Sequence, residues 1–183
     1  MRSYKTEGIV IKRRNFGESD RILTLLTNSY GKIQAKAPGV RKITSRRSSH
    51  TELLNLTFLT LYKSPRSSLP IVIEAKASEE FLSIKNSLKK IGYAYYICEL
   101  IDILCAQSQE NRRVFFLARD TLFQLSNNIG NTSAIEYFED ELLVTLGFLP
   151  RTHKLIDKRN FIESIVEKKL RTRRLLPLFL DNR

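Results

Sequence analysis

The sequence predicts an α+β protein, an all-β unit followed by an all-α unit, and three observations carry that reading. Short runs of β-branched and alternating apolar residues, punctuated by Gly, Pro and Asn, fill residues 4–75. After residue 78 the apolar spacing lengthens to the helical three and four and stays there. Charge divides in the same way: residues 1–78 hold 15 Lys and Arg against 5 Asp and Glu, residues 79–150 hold 6 against 10, and residues 151–183 hold 10 against 4. We therefore expect a basic β domain at residues 1–78 and a helical domain with a basic C-terminal helix at residues 79–183.

The first strand is expected over residues 4–11 (YKTEGIVI), with Gly8 marking a bulge or a close backbone approach. The following KRRNFGESD reads as a loop. Residues 21–27 (RILTLLT) form a second strand, and residues 28–31 (NSYG) a turn whose Asn and Gly take positive φ. A third strand at residues 32–37 (KIQAKA) places Lys32, Gln34 and Lys36 on one side. Residues 40–50 lack a sustained period and read as a mobile or weakly helical connection. The fourth strand, residues 51–63, has Leu54, Leu56 and Phe58 on one side, with Phe58 expected in the core, and the fifth covers residues 69–75. Five strands in about 75 residues, with a long connection between the third and fourth, match an OB-fold barrel.

Ser78, followed by Glu79 and Glu80, is the expected N-cap of the first helix. Residues 92–107 are apolar almost all round and suit the central helix of a bundle. Further helices are expected at 111–126 and 133–146, the latter ending on Gly147, and a last one from 159 to about 174, ended by Pro177.

A formal net charge of +12 points to a polyanionic partner. No run approaches the roughly 18 uninterrupted apolar residues of a spanning helix, and the N-terminus lacks a signal-peptide core, so a cytoplasmic protein without membrane partners is expected. The two cysteines, Cys98 and Cys105, lie too far apart along a helix for a disulfide, and His50 and His153 are the only histidines. No metal and no cofactor are expected. Enzymatic chemistry is not expected either: Glu18 and Asp20 sit beside Arg21, and Ser48-Ser49-His50 has no orienting acid.

Lys12, Arg13, Arg14, Lys32, Lys36, Arg41, Lys42, Arg46 and Arg47 read either as a solvated basic face or as a polyanion-binding surface, which the family resemblance given below narrows to DNA binding. Cations along such a barrel follow a phosphate backbone without reading sequence. Phe16 and Tyr30 have two readings, as stacking platforms for bases or as plugs at the barrel ends. On the helix at 111–126, Arg112, Phe115, Phe116 and Arg119 combine cations with aromatics; they read either as core phenylalanines beside surface arginines or as an apolar pocket rimmed by charge. The tail from Lys168 (KKLRTRRLLPLF) reads as a second DNA contact, as a helix packed through its leucines, or as both.

The opening GIVIKRRNFGESDRILTLLTNSYGKIQAKAPGVRK resembles the N-terminal OB-fold of the bacterial RecO recombination mediators, in the order basic loop, G-E-x-D-R, L-T-L-L-T, Y-G-K and A-x-G-x-R. YAYYICELID, LGFLP and KLRTRRLLPLFL resemble the helical domain and C-terminal helix of the same family. The resemblance implies binding of single- and double-stranded DNA, strand annealing, and loading of the RecA recombinase alongside RecR. It also implies that the helical domain takes the acidic, Phe-ended tail of single-stranded DNA-binding protein. Many members carry a four-cysteine zinc site after the segment matching residues 146–150, but residues 151–160 here contain no cysteine, so a short, zinc-free variant is expected. An RNA- or ribosome-associated OB protein is the alternative reading, separable by nucleic-acid preference.

Overall fold

Alternation within KIQAKA decides the third strand: Ile33, Ala35 and Ala37 turn into the core while Gln34 and Lys36 stay partly exposed. That pattern belongs to a computed structural model that describes residues 2–65, 67–127, 131–152, 155 and 157–172. Five strands, β1 (Arg2–Phe16), β2 (Asp20–Thr27), β3 (Gly31–Ala37), β4 (Leu56–Lys63) and β5 (Ile71–Glu79), close into a barrel in the order β1-β2-β3-β5-β4. All neighbours are antiparallel except β3 and β5, which meet in parallel at Lys36 and Ile71. This is the OB-fold arrangement, and the α+β class holds.

The barrel interior is filled by Val10, Leu23, Leu25, Leu59, Leu61 and Val72 together with the small residues of β3. Gly8 permits a close approach rather than a bulge, since a Cβ there would stand 3.2 Å from the Thr27 methyl and 3.3 Å from the Leu26 carbonyl. The bulge lies between Val10 and Lys12. The hairpin between β2 and β3 turns on Gly31, whose φ is +63°, and the Thr27 hydroxyl donates to the Gly31 carbonyl at 2.8 Å.

Several expectations are corrected. Lys12 to Phe16 are strand, not loop, because they pair residue by residue with Thr24 to Asp20 of β2. The fourth strand begins at Leu56, not Thr51, and the fifth runs on to Glu79, so Ser78 is a strand residue donating to the Leu56 carbonyl and not a helix cap. Phe58 points outward at 56% exposure, because Leu59 and Leu61 on the alternate side take the core. Of the two readings of the connection after β3, the weakly helical one holds: the amides of Lys42, Ser45, Ser48 and Thr51 each donate to the carbonyl three residues back at 2.9 to 3.3 Å, ending in a single 3-10 turn, Ser49–Thr51.

Two compact units result: residues 1–80 with 106–115, and residues 81–105 with the described residues from 116 onward. Residues 106–115 therefore belong with the barrel. The Ser108 amide donates to the Lys32 carbonyl at 2.8 Å, and Gln107 bridges Lys32 in parallel, so this segment lies along the start of β3.

The second unit is helical: α1 (Leu82–Lys85), α2 (Leu88–Leu104), the later part of α3 (Arg112–Ser126), α4 (Asn131–Thr145) and α5 (Lys158–Val166). The Ser87 side chain caps α2 by accepting from the Lys90 amide. Tyr93, Tyr96, Ile97, Leu100 and Ile101 bury most of the circumference of α2, as its all-round apolar sequence requires. Gly147, at φ +81°, closes α4: its amide donates to the Val144 carbonyl at 3.1 Å and that of Phe148 to Leu143 at 2.9 Å. α5 stops at Val166, well before residue 174, because Glu167 adopts φ +52° and the Leu170 amide turns back to Glu163. The expected Pro177 stop and the tail from residue 173 lie outside the described residues.

Candidate nucleic-acid interface

One end of the barrel gathers the exposed cations, and backbone hydrogen bonds explain how. Asp20, at the start of β2, accepts from the Gly39 amide at 2.8 Å and meets Lys36 Nζ at 2.9 Å, so it ties the start of β2 to the end of β3. The Gly39 hydrogen bond, seconded by Lys36, holds the Asp20 carboxyl below the usual carboxylate range. The Arg41 amide donates to the Ser19 carbonyl at 2.9 Å and its guanidinium to the Gly17 carbonyl at 3.2 Å. The β1–β2 turn and the long connection after β3 thus run side by side.

On this frame Arg14, Lys42 and Arg46 are exposed and, among the described residues, no carboxylate pairs with them. Phe16, two positions from Arg14 on β1, is exposed, with Lys36 Nζ 5.0 Å from its ring centroid. An aromatic face and several cations at a barrel rim can stack a base and neutralise its phosphates.

Other candidates are engaged differently. Arg13 shares Glu52 with Arg21, whose guanidinium lies 2.8 Å from the carboxylate. The Arg47 guanidinium donates to the carbonyls of Pro38 at 2.8 Å and of Val72 and Ile73, so it anchors the connection. Lys32 is buried, 7% exposed, and does not reach the exposed rim, while Lys12 is exposed on β1. Tyr30 packs on Tyr4 with ring centroids 4.6 Å apart and is itself 40% exposed. Arg21 and Glu52 were not legible as site residues, because the contact that joins them to Arg13 spans 31 and 39 residues of chain.

On α3, Arg112 and Arg113 are exposed and Phe115 is fully buried. Arg119 lies over the Phe116 ring at 4.7 Å and pairs with Asp120 at 2.8 Å. No helix among the described residues is long and apolar enough to cross a membrane, and no group of three or more His, Cys, Asp or Glu among them could hold a metal ion.

The family model described as Recombination protein O N terminal matches residues 1–81, the whole of the five-stranded barrel, and that described as Recombination protein O C terminal matches residues 85–158. The chain belongs to the RecO family. Proteins named DNA repair protein RecO share this similarity: one from Dehalococcoides mccartyi is 35% identical over 80% of this chain and 57% of its own length. Another from Roseiflexus is 35% identical over 84% of this chain and 53% of its own. A third from Listeria monocytogenes is 31% identical over 82% of the chain and 58% of its own. The chain thus spans little more than half the length of the RecO relatives it matches. Within the RecO match fall every strand of the barrel, the cation-bearing rim and the helix with Arg119 over Phe116.

Proposed function

We propose that this chain is a DNA-binding recombination mediator that binds single- and double-stranded DNA, anneals complementary strands and helps load the RecA recombinase. The observation that carries the reading is the set of exposed cations Arg14, Arg41, Lys42 and Arg46 on β1 and on the connection after β3, together with the exposed Phe16 ring under Lys36. Two phosphate backbones repel until cations intervene, and a rim that neutralises phosphates without reading bases lets strands find their own register. The work is binding, without bond-making chemistry, in the cytoplasm.

Its partners in this reading are RecR and the acidic tail of single-stranded DNA-binding protein. The α3 surface suits the tail, since a guanidinium beside an aromatic ring receives a carboxylate next to an apolar side chain.

The test is annealing of complementary DNA coated with single-strand protein, across a salt series. Reversal of Arg14, Lys42 and Arg46 to Glu should abolish annealing. Unchanged annealing, or preference for structured RNA over single-stranded DNA at matched salt, overturns the reading.

A further inference from the structure

Away from the cationic rim, the outer face of β1, β4 and β5 carries an ordered array of six side chains. Glu7, Phe58 and Lys76 stand directly opposite one another across the two ladders, and Lys5, Thr60 and Glu74 form the next outward row. Leu59 and Leu61 point inward, so these positions share the outer surface. A groove of about 580 Å³ lies over Phe58 and Ala75, rimmed by Lys5, Glu7, Glu74 and Lys76. Phe58 is 56% exposed in it, and Ile73, two positions from Ala75 on β5, is 45% exposed.

The charges decide what fits. Two lysines face two glutamates, so the rim has no net field to attract a polyanion, unlike the opposite end of the chain's charge distribution at Arg14 and Lys42. The rows instead read negative, aromatic, positive and positive, hydroxyl, negative. A twofold axis running along β4 between two such faces sets Glu7 against Lys76 of the second copy, Lys5 against Glu74, Phe58 against Phe58 and Thr60 against Thr60. Every charged position meets its opposite and the one large apolar side chain meets itself. A twofold interface requires that kind of self-complementary patch.

We infer that the face of β1, β4 and β5 centred on Phe58 is a self-association surface whose occupant is a second copy of this chain. Six principal side chains make a small, transient interface, in which the paired phenyl rings are the buried anchor and the four ion pairs fix the orientation. The inference is independent of the DNA reading, because none of the rim cations takes part.

The experiment is sedimentation velocity of the full chain without DNA, over a wide concentration range at low and moderate salt. The mass should rise toward twice that of the monomer with concentration. Phe58→Ser should raise the dissociation constant by at least about tenfold. Lys76→Glu alone should weaken association, and adding Glu7→Lys should restore it, since the swap recreates both interchain pairs. All three positions face outward on the barrel surface, and circular dichroism checks that each variant is folded. A chain that remains monomeric at every concentration, or a double variant that associates no better than Lys76→Glu, overturns the inference. So does a monomer in which Phe58→Ser weakens single-stranded DNA binding, which would assign the groove to a nucleobase.

Discussion

Gly31 faces the backbone of Gln109 so closely that a Cβ at position 31 would stand 1.9 Å from the Gln109 carbonyl oxygen. The same glycine sits at φ +63°, so a side chain there is opposed twice, by the left-handed backbone and by the segment lying on it. Gly31→Ala should destabilise the protein by about 1–3 kcal/mol and release residues 106–110 from β3. Urea unfolding measures the first effect. Faster amide exchange at Ser108, whose hydrogen bond to Lys32 would be lost, measures the second.

The rim cations divide by what they already touch. Arg14, Lys42 and Arg46 have no carboxylate partner among the described residues, whereas Arg47 is engaged by three carbonyls. Each single change of Arg14, Lys42 or Arg46 to Ala should weaken single-stranded DNA binding and lower the slope of log affinity against log salt by about one. Arg47→Ala should lower thermal stability while leaving that slope nearly unchanged. Fluorescence anisotropy over a potassium chloride series, beside thermal melts, separates the two classes.

Glu139 of α4 is buried and accepts the Tyr96 hydroxyl at 2.5 Å. Burial raises its pKa against the opposing pull of the Tyr96 hydrogen bond, Lys158 and Arg159. With the folded pKa above the unfolded one, the stability that protonated Glu139 contributes is complete below the unfolded value and is lost as pH rises through the folded value. Glu139→Gln keeps an acceptor for Tyr96 and removes that titration. Its melting temperature should match or exceed the parent's at pH 8, and the difference should shrink toward pH 4.

Glu99 holds the chain after α5. Its carboxylate accepts the amides of Arg171 at 2.7 Å and Thr172 at 2.9 Å, together with the Thr172 hydroxyl, while Leu170 is buried beside them. Glu99→Ala should free this segment and speed tryptic cleavage after Lys168, Lys169 and Arg171 by tenfold or more, on the order of the local opening free energy of two or three lost charge-assisted hydrogen bonds. Fragment masses over a digestion time course give the readout.

Local signals in the sequence were enough for the β2–β3 hairpin, the alternation of β3 and the Gly147 helix end, because each depends on residues within one turn. Lys12 to Phe16 gave no strand signal, since their pairing with β2 supplies what the side chains do not. β4 was ambiguous in parity: Leu54, Leu56 and Phe58 compete with Leu59 and Leu61, and only the closed barrel decides that Phe58 faces out. Ser78 has the acidic followers of an N-cap, yet pairing with β4 extends β5 over it, and Ser87 caps instead. The candidate site was legible as a count of cations and not as a surface. Which of them meet a carboxylate or a carbonyl is fixed by contacts dozens of residues apart, at Glu52 for Arg13 and at Val72 for Arg47. The tuck of residues 106–110 against the hairpin has no local signature at all.

The Arg47 anchor also has a meaning for encounters between molecules. Among the described residues β5 pairs with β3 at the single position Ile71, and without the guanidinium the Val72 and Ile73 carbonyls would be acceptors open to a foreign strand. The guanidinium occupies both, and a cation at that seam repels other copies of a strongly basic chain. Loss of that guanidinium should therefore show as slow fibrillar aggregation before any loss of DNA affinity appears.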